Sequence, residues 1–264
     1  MATENFVLIT GILLNPVTFT EENGFKQADF SVISLRKERH TPAGMDESDE
    51  IHCSTHDDSV ILALKKIKPG TILSIIGTYC SLDIEKYFSC ENPECKYYDV
   101  PQSYKGLRTY ISPIEVMPMD YKGEDAIAPQ MRLHRYREHS NNVRLIGRAL
   151  AEPKHITVPV VNKKTKAQEL IHIWKLKLAI KRQKYITSSL ATCDYVTVDS
   201  YENPTEVDEH DFVMVNGFVK SKTHVKKRSC QCCGKPILTK DYSLTVVPYT
   251  LEHIKVNAKQ ERNQ

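Results

Sequence analysis

Nowhere in the 264 residues does an uncharged apolar run approach the roughly 18 positions of a membrane-spanning helix. The opening "MATENFVLITG" also lacks the basic start, apolar stretch and small-residue cleavage site of a secretory signal, so the expected location is cytoplasmic, with no membrane partner. Catalytic signatures are missing too: there is no Walker loop, nucleophile elbow or H-E-x-x-H helix, and the carboxylates of "DESDE" (46–50) cluster as a solvated loop rather than a spaced pair. One cluster looks catalytic, "HCSTHDD" (52–58), but strand alternation sets His52 and Cys53 on opposite faces, which argues against a base and nucleophile pair. These absences point away from an enzyme and not away from a folded protein. With 41% hydrophobic and 26% charged residues the chain is ordinary globular material, long enough for two domains.

The formal net charge of +3 conceals an asymmetry. Residues 1–130 carry 12 Lys and Arg against 20 Asp and Glu, whereas residues 131–264 carry 24 against 13. Only the second half has a field that would attract a polyanion.

The chain also repeats itself. "NFVLITGILLNP" (5–16) is answered by "NNVRLIGRALAEP" (141–153): Asn, an alternating strand, Gly, and a Pro a few residues on. Gly11 and Gly147 mark a bend that lets one strand serve two sides of a barrel. "ADFSVISLRK" (28–37) matches "IWKLKLAIKR" (173–182), and "GTILSIIGTY" (70–79) matches "HDFVMVNGFV" (210–219), each of the latter closing on a glycine, Gly77 or Gly217. A cysteine-bearing hairpin and a last apolar strand follow in both copies. Between the third and fourth strands the first copy has an amphipathic helix, "DSVILALKKIKPG"; the second has "SYENPTEVDEH", too polar and Pro-broken to be one.

Five strands with a helix before the fourth is the order of the OB-fold, a five-stranded Greek-key barrel. The Asn-led first strand, the aromatic-led second strand ("F-S-V" or "W-K-L"), the helix ending in "KPG" and the fourth strand closing on Gly together resemble bacterial single-stranded DNA-binding proteins (SSB), over residues 5–80 and 141–220. The resemblance implies an all-β chain of two tandem OB-fold barrels: an acidic one over 1–120 with one short helix, a linker at 121–140, a basic one over 141–256, and a tail at 257–264. It also implies DNA replication, recombination or transfer as the setting, with replication or recombination proteins or a second copy of the chain as further partners. The sequence departs from typical SSB proteins in its cysteine insertions and in ending "NAKQERNQ", without a Gly/Pro-rich stretch and acidic tip. Those departures suggest a divergent branch, of a phage or mobile element.

Eight cysteines in a reducing compartment favour thiols or metal over disulfides. Cys90 and Cys230 each follow their strand-four glycine by 13 residues; Cys95 completes a C-x4-C pair and Cys233 a C-x2-C pair. A tight turn with two thiolates is half of a tetrahedral zinc site. The simplest closure takes one pair from each repeat, so that Cys90, Cys95, Cys230 and Cys233 hold one structural zinc clamping the barrels together. Separate sites using Cys80 or Cys232 with a histidine such as His224, a redox pair, and metal-free structural cysteines are the competing readings. Cys53 and Cys193 read as core or strand-face residues.

Single strands are held by a basic groove with aromatic platforms, which on an OB-fold means strands two and three and the adjoining loops. The second copy supplies Lys163, Lys164 and Lys166 in its first loop; Trp174, Lys175, Lys177, Lys181 and Arg182 on its second strand; Tyr195 on its third; and Lys220, Lys222, Lys226, Lys227 and Arg228 after its fourth. Alternation places Lys175, Lys177 and Lys181 opposite Leu176, Leu178 and Ile180, while Trp174 shares the apolar parity. In the first copy only Phe25, Phe30, Arg36, Lys37, Arg39 and His52 suggest binding, against an acidic background. The resulting expectation is a sequence-tolerant single-stranded DNA binder working through its second barrel. An OB-fold adaptor of a nucleic-acid-processing complex and an RNA binder are the alternatives, because the fold hosts all three.

Overall fold

The computed structural model describes residues 3–37, 48–119, 129–161, 167–182, 192–204 and 206–254. The first half contains β1 (Glu4–Leu13), β2 (Thr18–Glu22), β3 (Phe25–Leu35), β4 (Ser48–Thr55), α1 (Asp58–Leu64), β5 (Ile72–Phe88) and β6 (Gln102–Pro118). After α2 (Pro129–His134) the second half contains β7 (Asn141–Ala149), β8 (Lys154–Val161), β9 (Gln168–Lys181), β10 (Cys193–Ser200), β11 (Phe212–Ser229) and β12 (Pro236–Ile254).

Each half closes on itself. β1 pairs with both β3 and β5, β3 with β4, β5 with β6, and β4 meets β6 in parallel where Cys53 faces Ile111. The second half repeats the circuit through β7, β9, β10, β12 and β11, with Val198 facing Val246 in parallel. These are two OB-folds. Gly11 sits where the first strand turns from one neighbour to the other, pairing with Ser34 and with Leu73.

Two short strands were not expected. β2 and β8 pair with β3 and β9 as hairpins projecting from each barrel. Every residue of β2 is exposed, so no apolar alternation marks it in the sequence. The helix behaves as expected: Asp57 caps α1 by accepting from the Ser59 and Val60 amides at 2.8 and 3.0 Å, and Val60, Ile61 and Leu64 are buried. No helix occupies the corresponding place in the second half among the described residues.

The fourth strands bulge at Gly77 and Gly217. A Cβ there would lie 2.4 Å from the Ser112 carbonyl oxygen or 2.2 Å from that of Val247, so the neighbouring backbone leaves room only for glycine.

β1 and β7 pair antiparallel with Val7 opposite Val143, merging both barrels into one twelve-stranded sheet. Beside this seam Asn5 brackets the Tyr79 backbone, donating to its carbonyl at 2.8 Å and accepting from its amide at 2.9 Å; Asn141 does the same to Val219 at 2.8 and 2.9 Å. Two buried ion pairs repeat in the same way. Arg36 binds Asp49 through Nε at 2.6 Å, and Asp49 accepts the Ser221 amide at 2.9 Å; Arg182 binds Asp194 through Nε at 3.1 Å, and Asp194 accepts the Ser81 amide at 2.8 Å. Each carboxylate therefore satisfies an arginine of its own barrel and a backbone donor of the other.

Ser81 and Ser221 belong to the long hairpins β5–β6 and β11–β12, which lie across the opposite barrel: the Tyr195 amide donates to Ser81 Oγ at 2.7 Å, and Tyr242 of the second hairpin donates to the Glu50 carbonyl of the first barrel. The later part of the segment read as a connector packs onto the first barrel. Leu133 joins Ile12, Leu35 and Ile72, and Ser140 is fully buried, its hydroxyl donating to the Leu35 carbonyl. No helix of the described residues is long and apolar enough to cross a membrane.

Candidate nucleic-acid interface and cysteine cluster

In the register of β9 with β10, Lys175 faces Asp199, Lys177 faces Thr197, Ala179 faces Tyr195 and Lys181 faces Cys193. Paired residues of an antiparallel ladder share a face, and the other face carries Leu176, Leu178, Ile180, Val196 and Val198, all buried. The lysine row with Tyr195, which is 43% exposed, thus points outward from the second barrel. β11 extends this surface. Lys222 donates to Asp199, Lys220 approaches the Tyr201 hydroxyl at 3.3 Å, and Lys226 reaches Asp241 at 3.0 Å. Burial and the charge of Lys175 draw the Lys222 ammonium down to about 8, even with Asp199 beside it. His224 is lowered too, first by burial and then by Lys222, Lys175 and Lys226. The sequence alone offers this histidine only as a metal ligand; the β11 alternation Lys220, Lys222, His224, Lys226 is the signal that it belongs to the basic face.

Several expected contacts lie elsewhere. Arg182 has a side chain only 2% exposed and is consumed by Asp194 and the Ser81 carbonyl, so it is not available to a polyanion. Its parity is that of the core, which the sequence could have revealed. Lys222 is largely committed to Asp199, Lys227 alternates to the face opposite Lys226, and Arg228 lies over the Tyr104 ring at 3.3 Å. Trp174 is outside the core: half-buried at the root of the β8–β9 hairpin, it packs against His155 at 4.8 Å, which in turn stacks on His172. Lys163, Lys164 and Lys166 lie outside the described residues.

The first barrel differs on the same strands. Phe30 is core, Arg36 is buried on Asp49, and Asp49, read from the sequence as part of a solvated loop, is 2% exposed. Arg39 lies outside the described residues, and Lys37 sits 4.9 Å from the Tyr249 ring centre. On the outer face Arg108 pairs with Asp29 at 2.6 Å, and His52 packs on Tyr242 with ring centres 4.0 Å apart. Burial holds His52 below its ordinary pKa despite Glu50 nearby. Cys53 points into the core, where burial drives its thiol far above the usual range, and no nucleophile–base pair forms with His52.

At the tips of the two long hairpins Cys90, Cys95, Cys230 and Cys233 bring their sulfurs within 4.8 Å of one another and could hold a metal ion. Cys90 Sγ is 3.7 Å from Cys233 Sγ, and Cys95 Sγ is 3.6 Å from Cys230 Sγ. Backbone amides aim at the sulfurs: Tyr97 N–H at Cys95, 3.3 Å, and Cys232 N–H at Cys230, 3.4 Å. Such donors stabilise thiolates, and the amide of Cys233 leads those that pull Cys230 down to about 6, whereas at Cys95 the Tyr97 amide is outweighed by burial and the neighbouring sulfurs, which hold the thiol up. Gly234, at φ 70°, makes the second turn possible. Cys80 is buried on β5 beside Thr78 and Cys232 is exposed; neither belongs to the group.

No family model matches the chain, and no curated protein matches it in sequence. Among solved structures it is similar to the wild-type single-stranded DNA binding protein of Thermus aquaticus, with a TM-score of 0.58 and 12% identity over 97% of this chain and 95% of that one. A deletion variant of the Thermus aquaticus protein gives a TM-score of 0.60 and 12% identity over 98% of each chain. At that identity the likeness is one of fold, and it spans both barrels.

Proposed function

We propose that the chain binds single-stranded DNA without strong sequence preference, chiefly on the outer face of its second barrel. The observation that carries this reading is the outward row Lys175, Lys177 and Lys181 with Tyr195 on β9 and β10, to which Lys222, bound to Asp199 of β10, joins Lys220, His224 and Lys226 of β11. Cations spaced along strands suit a phosphate backbone, and an exposed tyrosine among them suits a base. The whole-chain likeness in fold to a single-stranded DNA binding protein supports it. Binding is a non-catalytic role, consistent with the separation of Cys53 from His52.

Anisotropy of labelled oligo-dT against the full chain over a salt series tests the reading. Each phosphate contact adds about 0.7 to the slope of log affinity against log salt, so five lysine contacts give a slope of about 3.5. Lys175→Glu/Lys177→Glu is expected to lower both affinity and slope. Equal binding by variant and wild type, or no binding by either, overturns the proposal in favour of an adaptor role. An oligo-U arm reports any preference for RNA.

The four clustered cysteines are proposed to hold one zinc ion. A tetrahedral thiolate site with Zn–S bonds of about 2.3 Å requires sulfurs about 3.8 Å apart, and the 3.6 and 3.7 Å pairs fit that requirement. The ion would supply charge neutralisation for the thiolates and a fixed crosslink between the hairpin tips. Metal analysis is expected to give about one zinc per chain, falling to background in Cys230→Ser.

A further inference from the structure

Where the second hairpin crosses the first barrel there is a cleft of about 400 Å³ between β4, β5, β6 and β12. That is within the range of about 300–1,000 Å³ that ligand sites occupy. Lys86, Arg108 and Lys240 line it together with Tyr87, Tyr104 and Tyr242, and Asp241 is the only carboxylate lining it among the described residues. Asp241 is heavily shared: Oδ1 accepts from Lys86 at 3.0 Å and from the Tyr104 hydroxyl at 2.8 Å, while Oδ2 faces Lys226 at 3.0 Å. One negative charge thus serves several cations. Arg108 is held by Asp29, but Lys240 is exposed and has no carboxylate partner among the described residues. Tyr87 stands at the rim, 63% exposed, with its hydroxyl 3.3 Å from Glu85.

We propose that this cleft is a second nucleotide subsite of the DNA path, in which Lys240 and Arg108 receive a phosphate and Tyr87 stacks on a base. The proposal rests on the single-stranded DNA reading above and deepens it. Continuity is provided by His224, the register partner of Asp241, whose other charged neighbours are Lys222, Lys175 and Lys226 of the second barrel's basic face. A strand leaving that face would pass His224 and Lys226 and enter the cleft on the flank of the first barrel. The acidic half would then contribute to binding through residues of both repeats rather than through its own barrel face alone.

The test uses the full chain and oligo-dT in which single positions carry 5-iodouracil. Irradiation followed by peptide mapping is expected to crosslink Tyr87 as well as residues of the basic face. Lys240→Glu, an exposed substitution, is expected to lower the salt slope by about 0.7, the share of one phosphate contact. Were crosslinks confined to the β9–β11 face and Lys240→Glu bound as wild type, while Lys175→Glu/Lys177→Glu lost affinity, the subsite would be refuted with the DNA reading intact. If wild type bound no oligonucleotide, both would fall.

Discussion

Asp29, Ser31 and Ile33 on β3 occupy the positions that Lys175, Lys177 and Ala179 occupy on β9, and Glu50 on β4 stands where Tyr195 stands on β10. Yet beneath these unlike surfaces the two barrels share Arg36–Asp49 and Arg182–Asp194, Asn5 and Asn141, and Gly77 and Gly217 at matching places. The difference teaches which positions the fold constrains. Buried polar groups must keep their partners, because an unpaired charge in a core costs several kcal/mol, whereas an outward strand position is free to carry either sign. Divergence between the halves has accordingly gone into the outward charge, giving one barrel with a field that draws polyanions and one whose outward strands carry Asp29 and Glu50 instead.

The largest expected effect probes the shared interior. Asp49→Ala and Asp194→Ala each strand a buried arginine and remove a bond to the other barrel, so each is expected to cost about 3–5 kcal/mol in denaturant unfolding. Similar losses confirm that the ion pairs are equivalent; a loss at one site only would break the correspondence. Next come the bulges. Gly77→Ala and Gly217→Ala press a methyl group onto a carbonyl oxygen and are expected to cost about 1–3 kcal/mol each, again alike.

The smallest effect separates the exteriors. A polyanion beside His224 favours its protonated form, so binding takes up a proton. Affinity should rise as pH falls through the window between the lowered pKa of free His224 and its higher value in the complex, and be level above it. An effect below about tenfold is expected, abolished in His224→Gln. His52 lines the first-barrel cleft, but the Tyr242 ring packs on it at 4.0 Å, so His52→Gln is expected to keep the pH dependence; its loss would overturn the contrast.

Much of this was legible in the sequence because it is written locally. Alternation from Val7 to Ile9 and from Val143 to Leu145, the glycines that follow, and the matched spacing from Gly77 to Cys90 and from Gly217 to Cys230 all lie within short windows. Two kinds of feature were not. β2 has no buried residue, so its pairing with β3 leaves no hydrophobic trace. The crossing of the hairpins brings Lys86 to Asp241 and Ser221 to Asp49 across 155 and 172 residues, which no local pattern reports. Charges misled as well: Lys222 and Asp49 look like solvated side chains until neighbouring segments supply Asp199 and Arg36, whereas the parity of Arg182 already marked it as core.

Strand ladders ordinarily melt from the end remote from the body of a protein, since the last pairs there are held from one side only. In β5–β6 and β11–β12 that remote end is where the four sulfurs meet. With the metal bound, amides near Phe88 and Ser229 would exchange their hydrogens about as slowly as those beside the barrels, and removing the metal would let both arms unzip inward from the tips. The clasp would therefore govern how far the arms remain folded across the opposite barrels, and with it the shape of the cleft they enclose.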